Sequence, residues 1–158
     1  MADCRNPQHE SNVMASPTLH LEFFFRAGQF RRAYGKLPLD SEPPDWPKYL
    51  LIFHAIELAL KAYLIQCGVS EKDLKDEFGH NLKKLVDEAV KLGLSLPPET
   101  REMIGELGGR TLKAGEAAVL PHLRIRYPID SGVYSLWQFD THIEHVFKAV
   151  ARALGMTH

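Results

Sequence analysis

The stretch from Trp46 to Cys67 constrains this chain most. Its apolar residues keep to no single face. Tyr49 to Phe53 is followed by Ala55-Ile56, by Leu58 to Leu60 and by Ala62 to Ile65, and Gly68 closes the run. A helix that is apolar all round must be enclosed, either by lipid or by other helices. Tyr49–Ile65 covers 17 residues, short of the ~20 that a membrane span needs. Glu57 and Lys61 sit near its middle, where each costs about 2.5–3.5 kcal/mol on insertion. No membrane is expected, and the segment reads as the central helix of a bundle. Asp45 supplies a helix cap and Pro47 fits the first turn. Glu57 precedes Lys61 by four residues, the favourable order for an ion pair along a helix.

The flanking sequence supplies the enclosing helices. Leu19–Leu37 reads as a first helix with an apolar stripe of Leu21, Phe24, Phe25, Gly28 and Ala33, and with Phe30 and Tyr34 beside it. Its other face carries Arg26, Arg31, Arg32 and Lys36 against one acid, Glu22. Pro38, Pro43 and Pro44 follow as loop. Ser70, with Asp73 three residues later, predicts a short helix over Glu71–Phe78. His80–Leu92 places Leu82, Leu85, Val86, Ala89 and Val90 on one face, and Gly93 ends it. Pro97-Pro98 opens a helix to Leu107, stopped by Gly108-Gly109. Ala114–Val119 reads as one helical turn, and Leu123–Tyr127 as an extended loop across the bundle. Thr141 with Glu144 forms a capping box for a last helix, Thr141–Leu154. No strand pair or repeat is evident. The fold class is all-α: an up-and-down four-helix bundle with one or two extra short helices. Residues 1–18 read as a flexible tail and 19–158 as one helical domain.

A net charge of −1 argues against a protein that coats nucleic acid generically, but not against a local basic patch. Cys4 and Cys67 form no CxxC, and no apolar leader precedes the first helix. Both cysteines are therefore expected as thiols in a cytoplasmic protein.

Chemistry-bearing motifs are few. Gly105 and Gly108-Gly109 fit no phosphate loop. Cys67 has no base near it in sequence. His54 and Glu57 lie three apart, as do His142 and His145 with Glu144 between. A di-iron bundle needs Glu-x-x-His twice and two further carboxylates; here one order is reversed and the extra acids are missing. No metal or other cofactor is expected. His80 follows Gly79 at a helix N-terminus, where positive charge is disfavoured. It is expected to be neutral, bonded to neighbouring backbone and structural. The sequence "LRIRYP" (Leu123–Pro128) sets Arg124 and Arg126 beside each other, and Arg110–Arg126 is a second basic segment. These arginines either neutralise internal acids such as Glu57 or hold an external phosphate.

"IELALKAYLIQCG" (Ile56–Gly68), "FGHNLKKLVDEA" (Phe78–Ala89) and "RYP" (Arg126–Pro128), followed by a last amphipathic helix, resemble the HEPN superfamily in residue type and order. The resemblance covers roughly Leu19–Leu154. It implies a small four-helix domain that dimerises. It also implies work in toxin–antitoxin, antiviral or stress systems, often beside a nucleotidyltransferase. Active members are metal-independent ribonucleases with an Arg followed four to six residues later by His in the last long helix. This chain departs there. At the last helix only Arg152 and His158 have that spacing, and His158 lies beyond Gly155.

The expectation is a homodimeric, non-catalytic HEPN-like module. Arg124 and Arg126, helped by Arg31 and Arg32, would contact a nucleotide or RNA phosphate. Glu57, Lys61, His80 and Tyr127 would form a structural polar core. A nucleotidyltransferase or antitoxin is the implied protein partner. Two alternatives stand beside it: a ribonuclease using Arg126 with His142 or His145, and a purely structural partner protein whose arginines satisfy its own acids.

Overall fold

The computed structural model describes residues 18–38, 46–107 and 139–156. Residues 1–17 of the expected tail, Asp45, the turn expected at Ala114–Val119 and the whole of "LRIRYP" lie outside the described residues. Among the described residues every regular element is helical. These are α1 (Leu19–Lys36), α2 (Trp46–Gln66), α3 (Glu71–Asp73), α4 (Leu82–Lys91), α5 (Pro98–Leu107) and α6 (Phe139–Ala153).

Helix α2 lies at the centre. Ile52, Phe53, Ala55, Ile56, Ala59, Leu60, Ala62, Tyr63 and Leu64 are all fully buried. Each large side chain among them contributes about 1.5–3 kcal/mol by leaving water. Pro47–Gln66 is long and apolar enough to cross a membrane, yet 67% of its most apolar window is buried inside the protein. The enclosing matter is protein.

Helix α1 covers α2 in the opposite direction. Phe30 faces His54 at 5.3 Å between ring centroids, and Tyr34 lies under the ammonium of Lys48. It also runs against α6, because Phe24 meets Phe147 while Tyr34 Oη donates to Asp140 Oδ1 at 2.6 Å. The stripe expected on α1 is rotated. Ala27 and Tyr34 are the buried residues, whereas Leu21 is 40% and Phe25 63% exposed. The run Phe23-Phe24-Phe25 is apolar over three consecutive positions, so spacing alone leaves its inward face ambiguous.

The segment Glu71–Phe78 begins as expected, with Ser70 Oγ accepting from Asp73 N–H at 3.1 Å. It then widens. Leu74–Phe78 is a π turn, closed by Gly79 N–H donating to Leu74 O at 2.9 Å. Gly79 sits at φ 53° and ψ −118°, a backbone that side-chain-bearing residues avoid. This short descent returns the chain along α2. His80 therefore meets Glu57, and Tyr63 further up α2 donates to Leu92 O at 2.9 Å. Helix α4 thus ascends with α2 rather than against it. The ladder starts at Leu82, two residues later than expected, because Asn81 is the cap and its Oδ1 accepts from Lys84 N–H at 3.0 Å.

Helix α5 runs antiparallel to α4, tied by Arg101 to Asp87 and by Gly105 against Lys83. Helix α6 buries Ile143, Val146, Phe147, Val150 and Ala151, as its spacing implies. It begins at Phe139, so Thr141 is inside the helix and the capping box is not its start. Glu144 turns instead to Arg31 of α1.

Candidate functional site

Three polar arrangements stand out. The first is the outer face of α1. Arg26, Arg32 and Lys36 are exposed there with Phe25, and the Arg32 guanidinium lies 6.0 Å from the Phe25 ring centroid. Leu21, Glu22, Phe25 and Arg26 line a shallow groove with Thr18. Arg31 points elsewhere. It pairs with Glu144 and lies 4.9 Å over the Phe147 ring, joining α1 to α6. Of the two arginines of α1 singled out from sequence, Arg32 thus faces outward and Arg31 holds an internal acid. Arg124, Arg126 and Tyr127 lie outside the described residues.

The second is the carboxylate of Glu57, whose side chain is 3% exposed. Lys61 Nζ donates to Oε1 at 2.6 Å, and His80 Nδ1 lies 2.8 Å from the same oxygen. His54 Nδ1 is 3.6 Å from Oε2, beyond hydrogen-bond reach. Oε2 has no hydrogen-bond partner among the described residues. Burial pushes this carboxyl up, but the surrounding His54, Lys61 and His80 more than offset it and hold the group at about 2. Lys61 and His80 touch the carboxylate directly. Glu57 is ionised at any physiological pH, so it anchors its neighbours rather than exchanging protons.

The third joins α5 to α6. Thr100 is fully buried, and its Oγ1 lies 3.0 Å from His142 Nδ1 and 2.7 Å from His145 Nδ1. The two half-buried rings meet edge to face, 6.2 Å between centroids. Burial and the neighbouring His145 lower the pKa of His142, with Glu99 opposing. A ring kept neutral near pH 7 is a competent proton acceptor. Among the described residues no group of three or more His, Cys, Asp or Glu is placed to hold a metal.

The spacing of His142 and His145 made them candidates, but their link was hidden. Thr100 lies 42 and 45 residues away and looks in sequence like any first-turn threonine. Phe25 was equally hidden by the expected stripe.

No protein family, curated protein or solved structure matches this chain.

Proposed function

We propose that this chain is a HEPN-like module, a four-helix bundle with α1 and α2 in up-and-down order, that binds single-stranded RNA along the outer face of α1. The observation that carries the reading is Phe25, 63% exposed and flanked by Arg26, Arg32 and Lys36 on one helix face. An exposed aromatic ring among fixed cations suits unpaired nucleic acid: a base stacks on the ring while guanidinium and ammonium groups hold phosphates. Glu22 is the only acid on that helix, so the field there is positive although the chain as a whole is nearly neutral. Arg124 and Arg126 are proposed as further phosphate contacts. Homodimerisation, and a nucleotidyltransferase or antitoxin as partner in a defence or stress system, belong to the same HEPN-like reading.

The test is fluorescence anisotropy of a labelled single-stranded RNA at 50 and 200 mM salt. Loss of one stacked base corresponds to about 1–3 kcal/mol, so Phe25→Ala should weaken binding roughly 5- to 150-fold. Arg26→Ala with Arg32→Ala should flatten the salt dependence. An RNA affinity unchanged in Phe25→Ala, with the fold intact by circular dichroism, refutes the interface.

A further inference from the structure

We propose that the outer face of α1 selects guanine in single-stranded RNA, the carboxylate of Glu22 reading the base that stacks on Phe25; the inference rests on the RNA interface proposed above and adds its base preference.

The acid is what a face built for phosphate alone does not need. Glu22, Phe25, Arg26, Arg32 and Lys36 are all exposed and fall at helical spacing, so they share one face of α1. Toward phosphate Glu22 is a liability, because its charge offsets one of the three cations. Arg26 lies one turn further along the helix, yet among the described residues no ion pair engages the Glu22 carboxylate. Glu22 instead lines the shallow groove with Leu21 and Phe25.

The chemistry of a carboxylate decides which base fits. An ionised carboxylate only accepts hydrogen bonds, and its two oxygens accept side by side. Guanine carries N1–H and the N2 amino group next to each other, two parallel donors for two oxygens. Adenine and cytosine each offer one amino group beside a bare ring nitrogen, which repels the second oxygen. Uracil offers N3–H between two carbonyl oxygens. Unpaired bases are read on these edges once they are splayed out and stacked. Guanine alone satisfies both oxygens of Glu22.

The order of groups along α1 suits this pairing. Residues three apart on a helix are neighbours, about 5–6 Å between Cβ atoms. A base lying on the Phe25 ring therefore has its edge within reach of Glu22. The groove holds about 320 Å³, at the low end of the ~300–1,000 Å³ of ligand sites, which suits one base rather than a run of them. Arg26, Arg32 and Lys36 all lie C-terminal to Phe25, and Arg26 to Lys36 spans about 15 Å of helix. The phosphates thus extend from the groove away from Glu22, and the one acid on the face meets a base and not the backbone.

The test is anisotropy of the full chain with a labelled oligouridylate carrying one central guanosine, against the same strand with adenosine, cytidine or uridine at that place. The guanosine strand should bind about fivefold tighter, the lower end of what a bidentate base contact supplies, because the groove is open to water. Inosine lacks the N2 amino group and should lose most of the gain. 7-Deazaguanosine keeps both donors and should retain it. Glu22→Gln puts a donor where one acceptor stood. It should erase the preference while plain oligouridylate binds as tightly as before or more tightly, which a misfolded variant would not do. GMP should compete weakly, since it brings a single phosphate to three cations; competition as strong as that of the guanosine strand overturns RNA as the source of the base. RNA that binds with no preference among the four bases, or with a preference that survives Glu22→Gln, overturns the inference and spares the α1 interface. RNA that does not bind at all overturns that interface, and the inference with it.

Discussion

Replacing Glu57 by glutamine tests the buried anion at the centre of the fold. The carboxyl is held at about 2 against an ordinary value of 4.5, and each pKa unit is about 1.4 kcal/mol. Its ionised form therefore favours the folded state by about 3 kcal/mol. Because the folded value lies below the unfolded one, the unfolded chain takes up the proton first. The stabilisation is complete above about pH 4.5, declines as pH falls, and is gone near pH 2. Glu57→Gln keeps the shape and an acceptor for Lys61, but leaves that ammonium, 12% exposed, without its counter-charge. The variant should be about 3 kcal/mol less stable at pH 7. For a chain of this size that lowers Tm by about 6–12 °C. Urea unfolding of both proteins between pH 7 and pH 2 measures the difference directly. The gap should be constant down to about pH 4.5 and close below it. A gap that stays constant over the whole range, or that is absent at pH 7, refutes the assignment of the pH dependence to Glu57.

Three further outcomes are expected. His142 should titrate below 6.5 by NMR, since burial and then His145 lower it, and His145→Gln should move that midpoint up. The part of stability tied to a neutral His142 should be full above pH 6.5 and decline as pH falls through its lowered folded value. Leu85→Ala empties a fully buried site on α4 and should cost about 2–5 kcal/mol in urea unfolding. Gly93 sits at φ 103°, so Gly93→Ala should cost about 1 kcal/mol or more through backbone strain, measurable as a lower Tm.

The sequence carries its helices openly wherever one period dominates. Leu82, Leu85, Val86 and Ala89 on α4, and Ile143, Val146 and Val150 on α6, repeat at helical spacing and are buried as that spacing requires. Legibility fails where two periods overlap. Three consecutive phenylalanines on α1 satisfy more than one stripe, and packing against α2 and α6 turns Phe25 outward. It fails again where a group meets a partner distant in the chain. Glu57 and Lys61 are four apart and read as a pair; His80 is 23 residues from Glu57 and does not. The capping signal at Thr141 is a real local preference, but Asp140 and Glu144 find Tyr34 and Arg31 on α1, and the helix starts earlier. The π turn over Leu74–Phe78 has no sequence period of its own.

The seam between α1 and α6 has a consequence for how the chain is made. Tyr34 and Asp140 are 106 residues apart and Arg31 and Glu144 are 113 apart. At about 5–20 residues per second of synthesis, α1 waits roughly 5–20 s on the ribosome before the helix that closes over it has been translated. Throughout that interval Phe24 lacks Phe147 and Tyr34 lacks Asp140, their partners on α6. A nascent chain paused in this state presents the kind of apolar ridge that chaperones hold and that neighbouring chains can seize.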